Sequence, residues 1–369
     1  MAKIRILVVD DAVVVRKIVT DVLSEDADIE VVGTAANGRI ALSKIEQLKP
    51  DLVTLDVEMP EMDGLATLAA LRKTNAGLPV IMFSTRTERG AAITIDALML
   101  GANDYVTKPA NVGSVTAAMA QVREQLIPKV KALCGVVSRP RTAALQVPSG
   151  QSMSSRPGRS WAGARRVDAV AIGVSTGGPN ALAEVFGALP ADLSVPIIVV
   201  QHMPANFTRL LAERLDGRSA IRVAEARSGV LMEAGVVWIA PGNYHAVVRR
   251  QGASVQVMTH QGPPENSCRP SVDTLFRSVA QVYGANVLGV IMTGMGQDGL
   301  SGSEHVRAAG GQIIVQDEVS SVVWGMPGVV VQAGLADKVL PPAAIAAEIV
   351  TRVQVGRSLP GVRSIGLRV

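Results

Sequence analysis

Along the first third of the chain, apolar runs and polar segments alternate at two periods. Runs with strand character stand at Ile4–Val9, Ile29–Val32, Leu52–Leu55, Val80–Phe83 and Asp104–Val106. Between and after them, Val14–Leu23, Ile40–Leu48, Leu65–Leu71, Ala91–Leu100 and Val115–Leu126 repeat apolar residues at helical spacing. Five strands alternating with five helices predict α/β architecture, a parallel doubly wound sheet. From Val167 the alternation resumes. Strand-like runs are Val167–Gly173, Pro196–Gln201, Val287–Met292 and Ile313–Val315, and helical runs are Ala181–Leu189, Leu210–Leu215, Val272–Val282 and Ala343–Val353. A β-rich insert is expected around Val236–Ala240, Ala246–Arg249 and Ser254–Met258, with turns at Pro241-Gly242-Asn243 and Gly252.

The chain has 369 residues, enough for two domains. Residues 138–166 carry six arginines and no acidic residue, are rich in Ser, Pro and Gly, and lack hydrophobic periodicity. Such a segment buries too little surface to order itself, so it reads as a basic linker. The expected domains are therefore 1–131 and 167–356, with a linker at 132–166 and a tail at 357–369. Two cysteines, Cys134 and Cys268, stand far apart without a CxxC. That excludes a disulfide scaffold and a cysteine zinc site, and it suits the cytoplasm. No apolar run reaches the roughly 18 residues of a membrane span, which argues against direct membrane insertion. Aromatics make up 3% of the chain, too few for base-stacking platforms.

In a doubly wound sheet, ligands sit beyond the carboxyl ends of the strands. Asp10 and Asp11 end the first strand, Asp56 the third and Ser84 the fourth, and Lys108 follows the fifth. Three carboxylates brought together repel unless a cation neutralises them, and hard oxygen ligands suit Mg²⁺. A carboxylate beside Mg²⁺ and a lysine can attack a phosphoryl group. Singly, each acid is an ordinary helix cap and the lysine an ordinary loop residue. Together they mark one site. The stretches ILVVDD, LVTLDVEMPEMDG, VIMFST and YVTKP make residues 3–131 resemble a response-regulator receiver domain. The resemblance implies that Asp56 is the phosphate acceptor. It gives Mg²⁺ to Asp10, Asp11, Asp56 and the main-chain carbonyl of Glu58. Lys108 would pair with the phosphate, Ser84 would turn its hydroxyl toward it as a switch, and Tyr105 takes the rotating aromatic position.

In the second half, the first strand runs into Gly173-Val174-Ser175-Thr176-Gly177, a G-x-S-x-G between strand and helix. A glycine-rich turn or a phosphate cradle is the plain alternative, although the G-x-G-x-x-G spacing is absent. Of four histidines, His305 falls in a helix at the surface, and His245 and His260 border the β-rich insert. His202 follows the strand PIIVVQ at the same sheet edge as Ser175 and is the base candidate. The strand NVLGVIM leads into Thr293-Gly294-Met295-Gly296-Gln297-Asp298, so Asp298 reaches that edge as well. Alone it would cap the next helix. The glycines around it let main-chain N–H groups approach a ligand as oxyanion donors.

The motifs IGVSTGGP, VVQHMP, APGNYH, RPSVDTLF, VIMTGMGQDG and the Gln316–Pro327 stretch make residues 167–355 resemble the catalytic domain of the CheB family of chemotaxis protein-glutamate methylesterases. The resemblance implies Ser175 as nucleophile, His202 as base and Asp298 as orienting acid. Thr176 and the Met295 N–H would support the oxyanion pocket. It implies demethylation of glutamyl γ-methyl esters on methyl-accepting chemotaxis receptors, with deamidation of receptor glutamines and no cofactor for hydrolysis. A CheA-type histidine kinase would be the phosphodonor, and phosphorylation would release a receiver packed over the site. Val319-Ser320-Ser321 and Gly328-Val329 depart from the family pattern, outside the triad. An idle adaptor that sequesters a kinase or receptor is the alternative. A DNA-binding output lacks its basic reader, and a general esterase would turn over simple esters.

Overall fold

The computed structural model describes residues 3–85, 87–109, 114–135 and 165–357. The expected linker falls outside the described residues at 136–164, and the expected tail from 358 onward.

The first domain runs β1 (Ile4–Val9), α1 (Val13–Ser24), β2 (Ile29–Ala35), α2 (Gly38–Leu48), β3 (Leu52–Asp56), α3 (Gly64–Thr74), β4 (Val80–Ser84), α4 (Glu88–Met99), β5 (Asp104–Thr107) and α5 (Val115–Leu133). All five strands pair in parallel in the order β2-β1-β3-β4-β5, the expected doubly wound sheet. Side-chain caps set several helix starts. Asn37, Asp63, Thr87 and Ser114 each accept the N–H three residues on. The last helix continues two residues past the expected domain end at 131.

The second domain runs β6 (Ala169–Val174), α6 (Gly178–Gly187), β7 (Ile197–Gln201), α7 (Phe207–Asp216), β8 (Arg222–Glu225), β9 (Val236–Ile239), β10 (His245–Gln251), β11 (Ser254–His260), α8 (Val272–Tyr283), β12 (Val287–Ile291), α9 (Leu300–Ala308), β13 (Gln312–Gln316), α10 (Met326–Gln332), β14 (Lys338–Leu340) and α11 (Pro342–Gln354). Seven parallel strands form one sheet in the order β14-β13-β12-β6-β7-β9-β8. Here one expectation is corrected. Val236–Ile239 does not belong to an insert but pairs with β7 and β8 inside the main sheet. Its sequence VVWI is buried at every position, the signature of a strand covered on both faces. The insert is the antiparallel hairpin β10–β11 alone.

The chain order reverses at β6, which lies between β7 and β12. That places a switch-point crevice at the carboxyl ends of these strands. The two domains share a core: one apolar cluster passes from Ile95, Leu98 and Tyr105 to Leu182, Phe186 and Phe207. Helix α4 packs on α6 and α7. At the margin of this contact the Arg214 guanidinium donates to both Asp96 carboxylate oxygens at 2.7 and 3.1 Å, and Arg209 pairs with Glu88.

Candidate functional site

The polar ends of β1, β3 and β5 meet in the first domain. Ligand atoms of Asp10, Asp11 and Asp56 all lie within 4.8 Å of one another. Lys108 Nζ stands 2.9 Å from Asp10 Oδ2 and 2.7 Å from Asp56 Oδ2. Burial and the neighbouring Asp10 charge push Asp56 up to about 6, against the pull of Lys108. Burial works against the Lys108 ammonium, but its bonds to Asp56 and Asp10 prevail and raise its pKa. This hard-oxygen donor set fits Mg²⁺. The Glu58 carbonyl takes no main-chain bond among the described residues. The Ser84 hydroxyl points elsewhere: it donates toward the Gly90 carbonyl at 3.1 Å and accepts from Thr94 at 2.6 Å. It faces α4 rather than the acidic pocket, so the expected orientation toward a phosphate on Asp56 is not the one the structure shows. Tyr105 is buried, its ring stacked on Phe207 of the second domain with centroids 4.8 Å apart.

In the second domain Ser175 follows β6, His202 follows β7, and the Thr293–Asp298 turn follows β12. The turn at Ser175 is held on several sides. Its N–H donates to Thr293 O at 3.0 Å, its carbonyl accepts from Gln201 Nε2 at 3.0 Å, and the Thr293 hydroxyl donates to Thr176 O at 2.9 Å. Gly294 is required here, because a Cβ would stand 2.8 Å from Ser175 Cβ and 2.4 Å from Met326 Sδ. Gly177 caps α6 with φ +79°, a left-handed conformation that a side chain would strain.

Asp298 accepts His202 Nε2 at 2.8 Å. It does not simply cap the helix that follows it. Its carboxylate sits on the N-terminus of α8, accepting the N–H groups of Val272 at 2.7 Å and Asp273 at 3.1 Å and the Ser271 hydroxyl at 2.9 Å. Asn266 Nδ2 and the Gly299 N–H complete the shell at 3.0 and 3.1 Å. The following helix, α9, is served instead by Asp273, which accepts from Gly299 and Gly302. Burial alone would raise Asp298, but the bonds from His202, Val272 and Asp273 hold it down at about 2. An ionised carboxylate only accepts, so the Nε2 of His202 carries a proton, and Nδ1 is the nitrogen left for chemistry.

That Nδ1 faces Cys268, whose Sγ lies 3.6 Å away. Burial lowers the His202 pKa, yet the bonds to Asp298 and Cys268 outweigh it and raise the pKa to about 9. Ser175 is half-buried, and its hydroxyl makes no hydrogen bond among the described residues. The three expected residues therefore reach one rim. The His–Asp bond is made, and the Ser–His bond is not. Ser175, Thr176, His202 and Met295 line one cavity of about 320 Å³, walled on its other side by Leu98, Asp104, Tyr105 and Lys129 of the first domain. Thr176, expected as an oxyanion support, spends its hydroxyl on Asp104 across the domain contact at 2.5 Å. The Met295 N–H takes no main-chain acceptor among the described residues.

Cys268, Asn266, Ser271 and Asp273 escaped the sequence reading. The capping serine of Ser271-Val272-Asp273-Thr274 was a usable signal for α8, whereas no spacing rule links Asp273 to a turn 25 residues on. His305 lies exposed on α9, and His245 and His260 pair across the first and last positions of the hairpin.

A base nitrogen held protonated gives a pH prediction. If His202 acts as the base, it accepts a proton only when neutral, and hydrolysis should fall as pH drops through its raised pKa. The rising limb of kcat/KM against pH should lie well above 6.5, and Cys268→Ala should move it toward lower pH. A limb near 6.5 in both proteins would contradict the assigned bonds.

A sheet with an acidic, lysine-paired pocket at its strand ends, packed on a second sheet bearing a hydroxyl, an imidazole and a carboxylate at one rim, defines a receiver module joined to an α/β hydrolytic domain. Family models agree: residues 6–120 match the response regulator receiver domain, and residues 170–349 match CheB methylesterase. Two proteins named protein-glutamate methylesterase/protein-glutamine glutaminase align nearly end to end. That of Trichodesmium erythraeum is 54% identical over 96% of this chain and 100% of its own length. That of a Nocardioides species is 51% identical over 96% of each. The crystal structure of the Thermotoga maritima CheB methylesterase catalytic domain matches with a TM-score of 0.50 and 40% identity, covering 51% of this chain and 99% of that one. The chain belongs to the CheB methylesterase family of enzymes, with a receiver domain ahead of the catalytic one.

Proposed function

We propose that the chain removes methyl groups from glutamyl γ-methyl esters of chemotaxis receptors and deamidates receptor glutamines, under control of phosphorylation at Asp56. The observation that carries this reading is the Asp298–His202 bond opening onto the cavity that holds Ser175. His202 Nδ1 takes the Ser175 proton as Oγ attacks the ester carbonyl carbon. The Met295 N–H holds the resulting oxyanion. The carbon–methoxyl bond then breaks, and methanol leaves with the proton from His202. Water, deprotonated by the same imidazole, attacks the glutamyl ester of Ser175 and restores the hydroxyl, releasing the glutamate side chain. With glutamine the leaving group is ammonia.

The receiver supplies the control. Asp10, Asp11, Asp56 and the Glu58 carbonyl would hold Mg²⁺, which when bound supplies charge neutralisation for an incoming phosphoryl group. The phosphodonor is a CheA-type histidine kinase. In the closed form, Asp104 holds Thr176 beside Ser175, and Tyr105 packs on Phe207 along the same contact. A phosphoryl group on Asp56 carries about −1.5 to −2 charge where the carboxylate carried a single one, and it adds strong acceptor oxygens. It draws Lys108 and Ser84 toward itself, and the β5 and α4 surfaces that carry Asp104, Tyr105 and Asp96 shift with them.

Methanol release from methyl-labelled receptor membranes tests both halves. The wild type should release methanol, and faster with a small phosphodonor, whereas Asp56→Asn should stay at the basal rate. No release in either condition would remove the enzyme reading and favour an adaptor. The domain contact makes a separate prediction. Arg214→Glu faces Asp96 with a like charge at a half-exposed position, where an ion pair contributes ~1 kcal/mol at most. Basal release should rise about fivefold without phosphodonor, the factor that ~1 kcal/mol supplies. An unchanged basal rate would disconnect this contact from control.

A further inference from the structure

Among the described residues, the hydrogen-bond contact made at His202 Nδ1 is to a thiol. Two ligands of a tetrahedral zinc, a sulfur at ~2.3 Å and an imidazole nitrogen at ~2.0–2.1 Å, stand roughly 3.6 Å apart. Cys268 Sγ and His202 Nδ1 are 3.6 Å apart. The ligand atoms of His202, Cys268 and Asp298 lie within 4.8 Å of one another. Asp298 is engaged on the far nitrogen, where a carboxylate fixes the tautomer and raises the basicity of a metal-bound imidazole. His202 and Cys268 also line a second, larger interdomain cleft of about 750 Å³, so the pair is reached from two sides.

We propose that Cys268 Sγ and His202 Nδ1 form an inhibitory site for zinc, with Asp298 as the outer-sphere partner of the histidine. Nitrogen and sulfur donors select zinc over the Mg²⁺ that suits the oxygen pocket of the receiver. Binding displaces to solvent both the Cys268 thiol proton and the proton on His202 Nδ1. Two protein ligands leave two positions for water or for the Ser175 hydroxyl in the same cavity. An occupied Nδ1 cannot take the Ser175 proton, so hydrolysis stops whatever the state of Asp56. Cysteine spacing detects sites built from CxxC pairs and is blind to a mixed pair 66 residues apart.

The inhibition rests on the hydrolase reading, whereas metal binding does not. Full-length metal-free protein is titrated with Co²⁺, and thiolate-to-cobalt charge-transfer absorption is followed in the near ultraviolet. One equivalent should develop in wild type and in Cys134→Ser and be lost in Cys268→Ser. Cys134 is a suitable control, because burial and then the Asp51 charge push its thiol up to about 11. In the methanol-release assay with phosphodonor and excess Mg²⁺, Zn²⁺ should inhibit wild type and Cys134→Ser, and a zinc-selective chelator should reverse the inhibition. At least tenfold more zinc should be needed for Cys268→Ser. Absence of the absorption, absorption that follows Cys134, or equal zinc sensitivity in the three proteins would overturn the site and leave a thiol–imidazole hydrogen bond. If the absorption forms but metal-free wild type releases no methanol, the zinc site stands and the hydrolase reading fails.

Discussion

Ser175→Ala should lower methanol release on the order of 10⁴-fold or more, with KM changed far less. The Ser175 hydroxyl makes no hydrogen bond among the described residues, so its removal costs no bonding partner, and alanine keeps the Cβ. The turn itself is held by main-chain bonds to Thr293 and Gln201, which alanine retains. Folding and phosphorylation at Asp56 should therefore survive intact. A loss smaller than tenfold, measured as kcat on methylated receptor membranes, would take the nucleophile away from Ser175.

Asp298→Asn carries the second large effect. Asn can present an N–H to the imidazole and so favour the wrong tautomer, a change that costs on the order of 10⁴ in kcat in a related triad. Here the carboxylate also closes the N-terminus of α8, where a lost negative charge costs about 1 kcal/mol. Two readouts separate the roles. Asp273→Asn loses the equivalent cap on α9 and should lower Tm comparably, yet it leaves the His202 bond in place and should keep far more activity. The acid limb of stability distinguishes them further. Asp298 is depressed to about 2, so its contribution is complete above the ordinary carboxylate range near 3.8. It is lost as pH falls through about 2, and Asp298→Asn should abolish that part of the slope. Equal kcat losses in the two variants would mean that the carboxylate acts only by holding α8.

Strand ends were the legible part of this molecule. Apolar runs are bounded sharply by polar residues, so Asp56, Ser84, Ser175 and His202 were visible at the ends of their strands before any coordinate. The pairing partners were not. Asp104 reads as the first residue of a strand, yet it reaches Thr176, 72 residues on, because α4 docks on α6 and α7. Asp273 and Cys268 lie in a segment whose local pattern predicts only a helix start. They approach the site because α8 packs against β6. The error at Val236–Ile239 has the same origin. A strand buried on both faces loses the alternation that would have placed it, and its neighbours in sequence form a hairpin. Local period reports which face is apolar. It does not report which distant element covers that face.

The proposed roles, Ser175 as nucleophile, His202 as its base and Asp298 as the ionised acceptor that orients the imidazole, are tested most directly by trapping the covalent product on Ser175. A short peptide bearing a glutamyl γ-methyl ester is mixed with phosphodonor-activated enzyme, the reaction is quenched in acid within its first turnover, and the digest is weighed. The expected adduct is an oxygen ester through the peptide's glutamyl group on the fragment containing Ser175, formed with one equivalent of methanol. A thioester on the Cys268 fragment, or methanol release with no adduct on Ser175, would contradict the account.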